Sequence, residues 1–305
     1  MVDKDTFTLK AYAKVNLGLD VLRRLPSGYH EVKMIMQTVG IFDTLTFTRL
    51  PEGIRLTVEG DGLPGENVSV GAVPADENNL IWRAARQMME KYQVSGGIHI
   101  HLHKNIPVAA GMAGGSTDAA AAYRGVNRMF SLGASEEEMR KMAVATGADV
   151  PYCIMGGTVL AEGIGEKLTA LPDAPACHVL VAKPDISVST KYVYENLHVE
   201  SLACHPDVDG MAEAVGQGDL RGMLRRMGNV LETVTAGKYP VIGQLKEYME
   251  EHGACRALMS GSGPTVFGLF DDKTAAENCC SRLRSANMAK QIFLTGFVNP
   301  AKEEA

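Results

Sequence analysis

"NIPVAAGMAGGSTDAAAAY", residues Asn105 to Tyr123, is the stretch that decides how this chain folds and what it binds. Its side chains are small, and its glycines are followed at once by an alanine-rich helical pattern that begins near Ala119. A helix N-terminus presents unpaired backbone N–H groups and the positive end of the helix dipole. Glycine lets a phosphate approach that backbone without meeting a Cβ atom. We therefore predict a phosphate-binding loop; the alternative is a flexible loop with an ordinary Ser/Thr/Asp helix cap.

Two better-known phosphate loops do not fit this segment. A Walker A loop needs a Lys after its last glycine, whereas Gly115 is followed by Ser-Thr-Asp. No GxGxxG fingerprint occurs, so a dinucleotide-binding fold has no support. Pro107 stiffens the approach to the loop, and Ser116 and Thr117 add hydroxyls at its end.

Composition restricts the class of protein. The chain has 305 residues, 46% hydrophobic and 22% charged, which is typical of a soluble globular protein. A formal net charge of −6 argues against nucleic acid or an anionic membrane as the partner. No apolar run approaches the roughly 20 residues that cross a bilayer. The N-terminus lacks an apolar signal core, so we expect a cytoplasmic protein, either monomer or homodimer.

The six cysteines form no CxxC pair. We expect reduced thiols and no structural zinc. His99, His101 and His103 alternate with apolar residues along one predicted strand. Alternation alone explains that spacing, so the exposed side of a strand is favoured over a metal site.

The chain mixes strand and helix patterns irregularly, which predicts an α+β fold. A change of pattern after Glu162 places a domain boundary near residue 160, with domains at 1–160 and 161–305. Strands are predicted at Lys14–Val21, Thr44–Leu50, Gly53–Gly60, Gly97–Asn105 and His178–Pro184, with a hairpin around "GSGP" and a last strand at Gln291–Phe297. Helices are predicted at Asn79–Tyr92, Ala119–Met129, Ser135–Gly147, Met211–Val215, Leu220–Val234, Val241–His252 and Thr274–Asn287, and the tail at 300–305 is expected to fray.

Three polar residues are candidates for chemistry. Lys14 and Asn16 share one face of a strand, where together they can hold a charged group; the alternative is a solvated strand face. Asp149 precedes Val150-Pro151, and the proline is expected to keep Val150 extended. A carboxylate fixed on such a turn can act as a general base, although a turn-stabilising Asp is the commoner case.

Three segments in this order resemble the motifs of the GHMP kinase family, which includes galactokinase and homoserine, mevalonate and phosphomevalonate kinases. They are the strand "AYAKVNLGL", the loop "PVAAGMAGGSTDAAAA" and the C-terminal loop "SGSGPTVF". The resemblance covers nearly the whole chain. "SGYHEV", "ENNLIWRAA" and "GADVPYCIMGGTVLAEGIGE" are similar to the branch that acts on a cytidyl diphosphate sugar alcohol in isoprenoid precursor synthesis. It implies a two-domain α+β fold, with an N-terminal ATP-binding domain and a C-terminal ferredoxin-like α/β domain.

The resemblance also implies residue roles. Asp149 matches the family's catalytic aspartate and Lys14 its active-site lysine. Tyr29 and His30 match residues that hold the cytosine ring, with Tyr194 on its other face. The remaining substrate residues implied are Asn16 and Thr190. The implied ATP-binding residues are Asn79, Lys104, Pro107, Val108, Ala109, Ala110, Gly111, Met112, Ala113, Gly114, Gly115, Ser116 and Thr117. Thr117 stands where the family's loop often has a second Ser, which keeps the hydroxyl. Tyr194 stands where some relatives have Phe, which keeps the stacking surface.

The implied activity is ATP-dependent phosphoryl transfer, with Mg²⁺ offsetting phosphate charge, Asp149 accepting a hydroxyl proton and Lys14 orienting it. Ser116, Thr117 and Asp118 are all candidates for contacting Mg²⁺, and the sequence does not choose between them. Two alternatives are a sibling kinase acting on homoserine or a mevalonate-type alcohol, and a non-catalytic sensor. The "GYH" segment argues against the first, because a small alcohol has no ring to stack. The intact lysine, aspartate and loop argue against the second.

Overall fold

The computed structural model describes residues 5–60 and 73–303. Two compact units share the chain. The first contains the described residues of Met1–Ala13, Ile41–Val108 and Ala113–Met155. The second contains the described residues of Lys14–Gly40, Ala109–Met112 and Gly156–Ala305. The two domains predicted at 1–160 and 161–305 stay a prediction.

Two long strands, β1 (Thr6–Arg24) and β2 (His30–Leu50), contribute residues to both units. The first unit adds β3 (Gly53–Gly60) and β4 (Gly97–Lys104), in the sheet order β3-β4-β2-β1. β3 runs parallel to β4, and β4 runs antiparallel to β2. Four helices complete this unit: α1 (Leu80–Lys91), α2 (Gly114–Phe130), α3 (Glu136–Ala143) and α4 (Val150–Met155).

Glycine allows α2 to lie close to the sheet of the first unit. A Cβ at Gly125 would stand 2.2 Å from the ring of Phe47, which is itself fully buried. A larger residue there would displace the helix or the ring. The close approach of α2 to Phe47 therefore depends on glycine at position 125.

In the second unit, β1 and β2 belong to a sheet with the order β6-β5-β2-β1-β8. Its further strands are β5 (Thr158–Gly163), β6 (Lys167–Ala170) and the two-residue β8 (Gly228–Asn229). A separate antiparallel sheet contains β7 (His178–Lys183), β9 (Arg256–Met259), β10 (Val266–Phe270) and β11 (Gln291–Gly296). The helices of this unit are α5 (Thr190–Glu195), α6 (Val208–Gly216), α7 (Leu220–Arg226), α8 (Glu232–Lys238), α9 (Val241–Glu251), α10 (Lys273–Ala286) and α11 (Pro300–Glu303).

The antiparallel sheet has the order β11-β7-β10-β9, so its four strands stand fourth, first, third and second along the chain. Helices connect β7 to β9 and β10 to β11, whereas β9 and β10 form a hairpin. This is the ferredoxin-like βαββαβ arrangement. The α+β fold and its ferredoxin-like part are confirmed.

Most predicted elements are confirmed, and three of those that differ lie outside the glycine loop. The predicted helix over Leu220–Val234 is wrong in its middle, because Gly228 and Asn229 pair with β1 instead. α3 begins after Ser135 as predicted, with a capping box between Ser135 and Glu138, but it ends at Ala143 and not at Gly147. The expected frayed tail forms α11 up to residue 303; residues 304–305 lie outside the described part.

Candidate active site

The start of α2, in the first unit, is built differently from the prediction. The helix begins at Gly114, not near Ala119, because Ala113 adopts a left-handed conformation (φ 57°, ψ 28°) that turns the chain directly into the helix. Gly114, Gly115 and Ser116 therefore form the first turn, whose N–H groups have no acceptor within the helix. Among the described residues no side chain caps this start. Phosphate binding by this turn stays a prediction.

The two glycines of this turn have different surroundings. A Cβ at Gly114 would lie 2.9 Å from Nζ of Lys104, so this position has no room for a side chain. Gly115 is exposed, and the nearest atom to its Cβ position is Cδ1 of Leu80 at 3.8 Å. Gly114 is needed for packing, whereas Gly115 leaves the helix start open.

A buried group of three charges lies beside this turn. Lys104, only 3% exposed, donates to Asp118 Oδ2 at 2.9 Å and to Asp43 Oδ2 in a short contact. Asp43 Oδ1 in turn accepts the N–H groups of Asn105 (2.5 Å) and Ile106 (2.7 Å). Lys104 therefore links the end of β4, the approach to the loop and α2. Its predicted contact with ATP stays a prediction.

The charges in this group shift one another's protonation. Burial opposes the charge of Lys104, but the carboxylates of Asp118 and Asp43 outweigh it, so the pKa of Lys104 is raised. Burial raises the pKa of Asp118 well above its ordinary value despite the neighbouring ammonium, and the charge of Asp43 adds to the rise. Asp118 Oδ1 is buried with no hydrogen-bond partner among the described residues. Asp118 is thus a strained partner of Lys104.

Two further predicted residues lie in the first unit. Asn79 caps α1: its Oδ1 accepts from Ile81 N at 2.9 Å, and its Nδ2 donates to the Pro74 carbonyl at 2.6 Å. Asp149 is half-buried and immediately precedes α4, where its carbonyl accepts from Cys153 N at 3.0 Å.

The expected extended Val150 is wrong. Val150 begins α4, and Pro151 occupies its first turn, where no backbone N–H is needed.

The second unit holds the middle of the glycine loop, 109–112. Ala109 and Gly111 adopt left-handed conformations, with φ of 52° and 72°. The carbonyl of Gly111 accepts from Ser260 Oγ at 2.9 Å, and that of Met112 accepts from Lys14 N at 3.2 Å. A Cβ at Gly111 would stand 2.3 Å from the Ser260 carbonyl, so only glycine fits there. The two glycine-rich segments predicted from the sequence meet at this point.

The polar face of β1 is not solvated, so that alternative is wrong. Lys14 is 5% exposed and Asn16 is fully buried. Lys14 Nζ donates to Asn16 Oδ1 at 2.8 Å, and Asn16 Nδ2 donates to Met34 Sδ at 3.3 Å. Asn16 therefore orients Lys14, and its predicted contact with substrate stays a prediction.

The predicted cytosine-holding residues lie together in the second unit. The rings of His30 and Tyr194 stand 5.2 Å apart with an interplanar angle of 36°. Tyr29 is 64% exposed, which is unusual for a large aromatic side chain. Burial, helped by the charge of Arg24, lowers the pKa of His30 and keeps its ring neutral at physiological pH. Thr190, at the start of α5, exchanges a 2.8 Å hydrogen bond with Ser262.

The histidine strand behaves as a paired strand face. His99 and His101 hydrogen-bond to Thr57 at 2.8 and 2.9 Å, and His101 and His103 both contact Glu59. Among the described residues, no group of three or more His, Cys, Asp or Glu side chains could hold a metal ion. In the same part of the chain, no helix has the length and apolar character needed to span a membrane.

Comparison with known proteins identifies the family. The model "GHMP kinases N terminal domain" matches residues 79–157, and "GHMP kinases C terminal" matches residues 211–290. The chain belongs to the GHMP kinase family. Of its GHMP relatives, the 4-diphosphocytidyl-2-C-methyl-D-erythritol kinase of Lachnospira eligens is 51% identical over 97% of this chain and 100% of its own. The protein of the same name from Lachnoclostridium phytofermentans is 48% identical over 96% and 98%.

Solved GHMP kinase structures agree with this assignment. A crystal structure of 4-(cytidine 5'-diphospho)-2C-methyl-D-erythritol kinase is similar with a TM-score of 0.79 and 29% identity, covering 95% of this chain and 99% of that one. Homoserine kinase from Cytophaga hutchinsonii has a TM-score of 0.77 at 21% identity, covering 98% and 96%. The second likeness concerns the fold alone.

Sequence reasoning missed three residues that the structure connects to these segments. Asp43 lies 61 positions before Lys104, and no local pattern marks it. Asn229 and Glu232 fall inside the stretch predicted as a continuous helix, yet both bond to the backbone of Met259, at the end of β9. The Gly-Asn pair at 228–229, a poor helix former, was the signal that could have revealed them.

Proposed function

We propose that this chain transfers the γ-phosphoryl group of ATP to the 2-hydroxyl of 4-diphosphocytidyl-2-C-methyl-D-erythritol, a step of isoprenoid precursor synthesis. The observation that carries the nucleotide part is the first turn of α2, which has free N–H groups and no side-chain cap. The His30–Tyr194 ring pair, with exposed Tyr29, supports a substrate that carries a pyrimidine ring. The names of relatives up to 51% identical support the same substrate.

In this proposal Asp149 accepts the proton of the reacting hydroxyl, and the oxygen then attacks the γ-phosphorus as ADP leaves. Lys14, oriented by Asn16, supplies positive charge to the anionic groups of the reaction. The neutral His30 ring stacks without adding a charge beside the cytosine.

The residues beside the phosphates also fit Mg²⁺, which usually takes one or two protein oxygens and completes its shell with water and phosphate. Ser116 is partly exposed at the helix start, whereas Thr117 and Asp118 are each only 2% exposed. We therefore assign Ser116 as the side chain that would contact the ion. When bound, Mg²⁺ neutralises charge on the phosphate oxygens.

The test is a coupled ADP-release assay against the cytidyl substrate, homoserine and mevalonate. We expect turnover only with the cytidyl substrate. Asp149→Asn keeps size and hydrogen bonding but cannot take a proton, so kcat should fall by about 10²–10⁴ with KM little changed. Near wild-type kcat in that variant would remove Asp149 as the base.

Tyr29→Ala should raise KM for the cytidyl substrate by roughly one to two decades, since stacking on a base contributes about 1–3 kcal/mol. Tyr192→Ala is the matched control, because Tyr192 is also an exposed tyrosine and instead contacts Lys238. Equal KM values in the two variants would argue against the cytosine site and for a sibling kinase.

A further inference from the structure

Residues 259–263, which span the end of β9 and the start of the loop to β10, have their backbone held by three side chains from a segment outside the family-like motifs. We propose that Asn229, Glu232 and Thr235 form a clamp that positions this loop to bind phosphate oxygens of one of the two substrates. The inference rests on the proposed function for its ligand, but its structural part stands on geometry within the second unit.

Asn229 is the centre of the clamp. Its Nδ2 donates to the carbonyls of Met259 (2.8 Å) and Gly261 (2.7 Å), and its Oδ1 accepts from Leu231 N at 3.0 Å. Both amide hydrogens are thus used on the loop. The residue is 7% exposed and pairs with Leu19 of β1, so its backbone is fixed by the sheet.

Two side chains of α8 hold the flanks of the loop. Glu232 Oε1 accepts from Met259 N at 2.6 Å, while its other oxygen contacts Lys246. Thr235, 1% exposed, donates from Oγ1 to the Ser262 carbonyl at 3.1 Å. The clamp therefore fixes one N–H and three carbonyls around residues 259–262.

This arrangement decides where the remaining loop N–H groups point. The Gly261 carbonyl shares a planar peptide with the N–H of Ser262, so holding this carbonyl against the clamp directs that N–H away from it. The preceding peptide is held by its Ser260 carbonyl, which accepts from Gly263 N at 2.9 Å. Among the described residues, the N–H groups of Gly261 and Ser262 have no acceptor. Gly261 is left-handed (φ 57°), and consecutive free N–H groups around such a residue form an anion-binding concavity.

The loop also contacts two segments of this unit that are predicted to bind ligands, the glycine loop and the start of α5. Ser260 Oγ donates to Gly111 of the glycine loop, and Ser262 exchanges a hydrogen bond with Thr190. A clamp that sets the orientation of residues 260–262 therefore controls these two contacts as well. Asn229, Glu232 and Thr235 are positioning residues, since they act through the loop.

Asn229→Asp tests the centre of the clamp, because it preserves shape and removes both donors to the loop. We expect KM for either ATP or the cytidyl substrate to rise roughly tenfold, about the value of one good hydrogen bond to a charged group. Which KM rises identifies the source of the phosphate. Asn127→Asp is the matched control: Asn127 also bridges backbone groups, both of Ala134, but far from the loop along the chain. It should lower the melting temperature without changing either KM.

Thr235 offers a finer test with a rescue. Thr235→Val removes the hydroxyl at equal size and should raise the same KM as Asn229→Asp, by a smaller factor. Thr235→Ser keeps the hydroxyl and should have the wild-type KM. Thr233→Val on the same helix removes a hydroxyl whose partner within the described part of the chain is the Val230 carbonyl, and should leave KM unchanged.

Hydrogen exchange over residues 259–265 provides a readout that needs no turnover. Exchange should quicken in Asn229→Asp and Thr235→Val and be normal in Thr235→Ser. If KM values and loop exchange in the first two variants match their controls, the clamp is merely structural and the inference is wrong. If the wild type does not phosphorylate the cytidyl substrate, the proposed function fails; weaker binding of inorganic pyrophosphate by the two variants, measured by calorimetry, would then support the clamp, and unchanged binding would overturn it.

Discussion

Helices α1 and α2 pack against each other in the first unit but begin in opposite ways. α1 starts after Asn79, whose side-chain oxygen accepts a hydrogen bond from the N–H of Ile81. α2 starts after Ala113, which provides no side-chain acceptor, and the buried charges of Lys104, Asp43 and Asp118 lie beside its first turn. The N-terminus of α1 is capped by a side chain. The N-terminus of α2 is stabilised by neighbouring buried charges, and its first-turn N–H groups have no side-chain cap among the described residues. Support without a cap is what a helix needs to keep its N–H groups for a ligand.

The largest effect is expected from removing that support. Asp43→Asn leaves one acceptor oxygen, so either the ammonium of Lys104 or the N–H groups of Asn105 and Ile106 face an NH2 group, and the buried Lys104 is poorly compensated. Breaking such a buried pair costs about 3–5 kcal/mol in the free energy of unfolding, measurable by urea denaturation. Glu137→Gln is the control, because its pair with Lys141 is exposed to solvent and the free energy of unfolding should stay close to that of the wild type. A loss below about 1 kcal/mol in Asp43→Asn would show that α2 does not depend on the buried charges.

The second largest effect is expected from placing a carboxylate at the N-terminus of α2. Gly115→Asp fits sterically and places a carboxylate where phosphate is predicted. ATP affinity should fall roughly a hundredfold, about 2.7 kcal/mol, because like charges in one site repel. Helix stability should rise instead, by up to about 1 kcal/mol, since the carboxylate faces the positive end of the dipole. Calorimetry and thermal unfolding measure the two effects.

Thr274→Asp in the first turn of α10, which Asp272 already caps, is the control for Gly115→Asp. It should leave ATP affinity unchanged. Equal ATP affinity in Gly115→Asp and the wild type would contradict the assignment of α2 as the phosphate site.

A smaller effect is expected at the start of α1. Asn79→Ala removes the cap and should cost about 1 kcal/mol in the free energy of unfolding, whereas Asn79→Asp keeps an acceptor and should recover most of it. Because the amide of Asn79 is engaged by its own segment, ATP affinity should change less than about fivefold. A larger fall in both variants would show that Asn79 binds nucleotide directly and that the two helix starts share one function.

The smallest change in the free energy of unfolding at neutral pH is expected from Asp118→Asn. The variant no longer buries a carboxylate, which offsets the lost attraction to Lys104. The sign of the change depends on pH. The raised pKa means that the folded chain keeps a proton that the unfolded chain releases above about pH 4. Wild-type stability therefore falls as pH rises toward the folded-state pKa, and Asn does not titrate.

The melting temperature of Asp118→Asn relative to the wild type should accordingly increase with pH through this window. Asp173→Asn is the control with opposite sign, since its contacts with Lys302 and Asn299 lower the pKa of Asp173. Its stability contribution is present above the ordinary pKa and is lost on acidification. A pH-independent difference for Asp118→Asn would contradict the raised pKa.

These two helix starts also show what the sequence could and could not predict. The alternation in β1 and the Asn79 start of α1 are local patterns, and each was predicted correctly. The start of α2 was misplaced because Ala113 takes a left-handed conformation that alanine rarely adopts, and nothing local favours it. The buried charges and the Asn229 clamp join residues that are distant along the chain, so periodicity carried no information on them. The substrate was predicted from similarity to a family. The Tyr29–His30 pair beside Gly28 could not indicate a substrate by itself, since aromatic residues near a glycine occur in many kinds of site.

The interleaved order of the two units has a consequence for how the chain is made on the ribosome. Every segment of the first unit precedes residue 156, so that unit is complete in sequence when half of the chain has been synthesised. Lys14–Gly40 belongs to the second unit and must wait for partners such as β8 and β5. At about 5–20 residues per second, the last 150 residues take on the order of 8–30 s to emerge. Through that interval the apolar residues of β1 beyond Ala13 lack the segments after residue 155 that complete their unit. We expect a nascent-chain chaperone to bind these exposed residues.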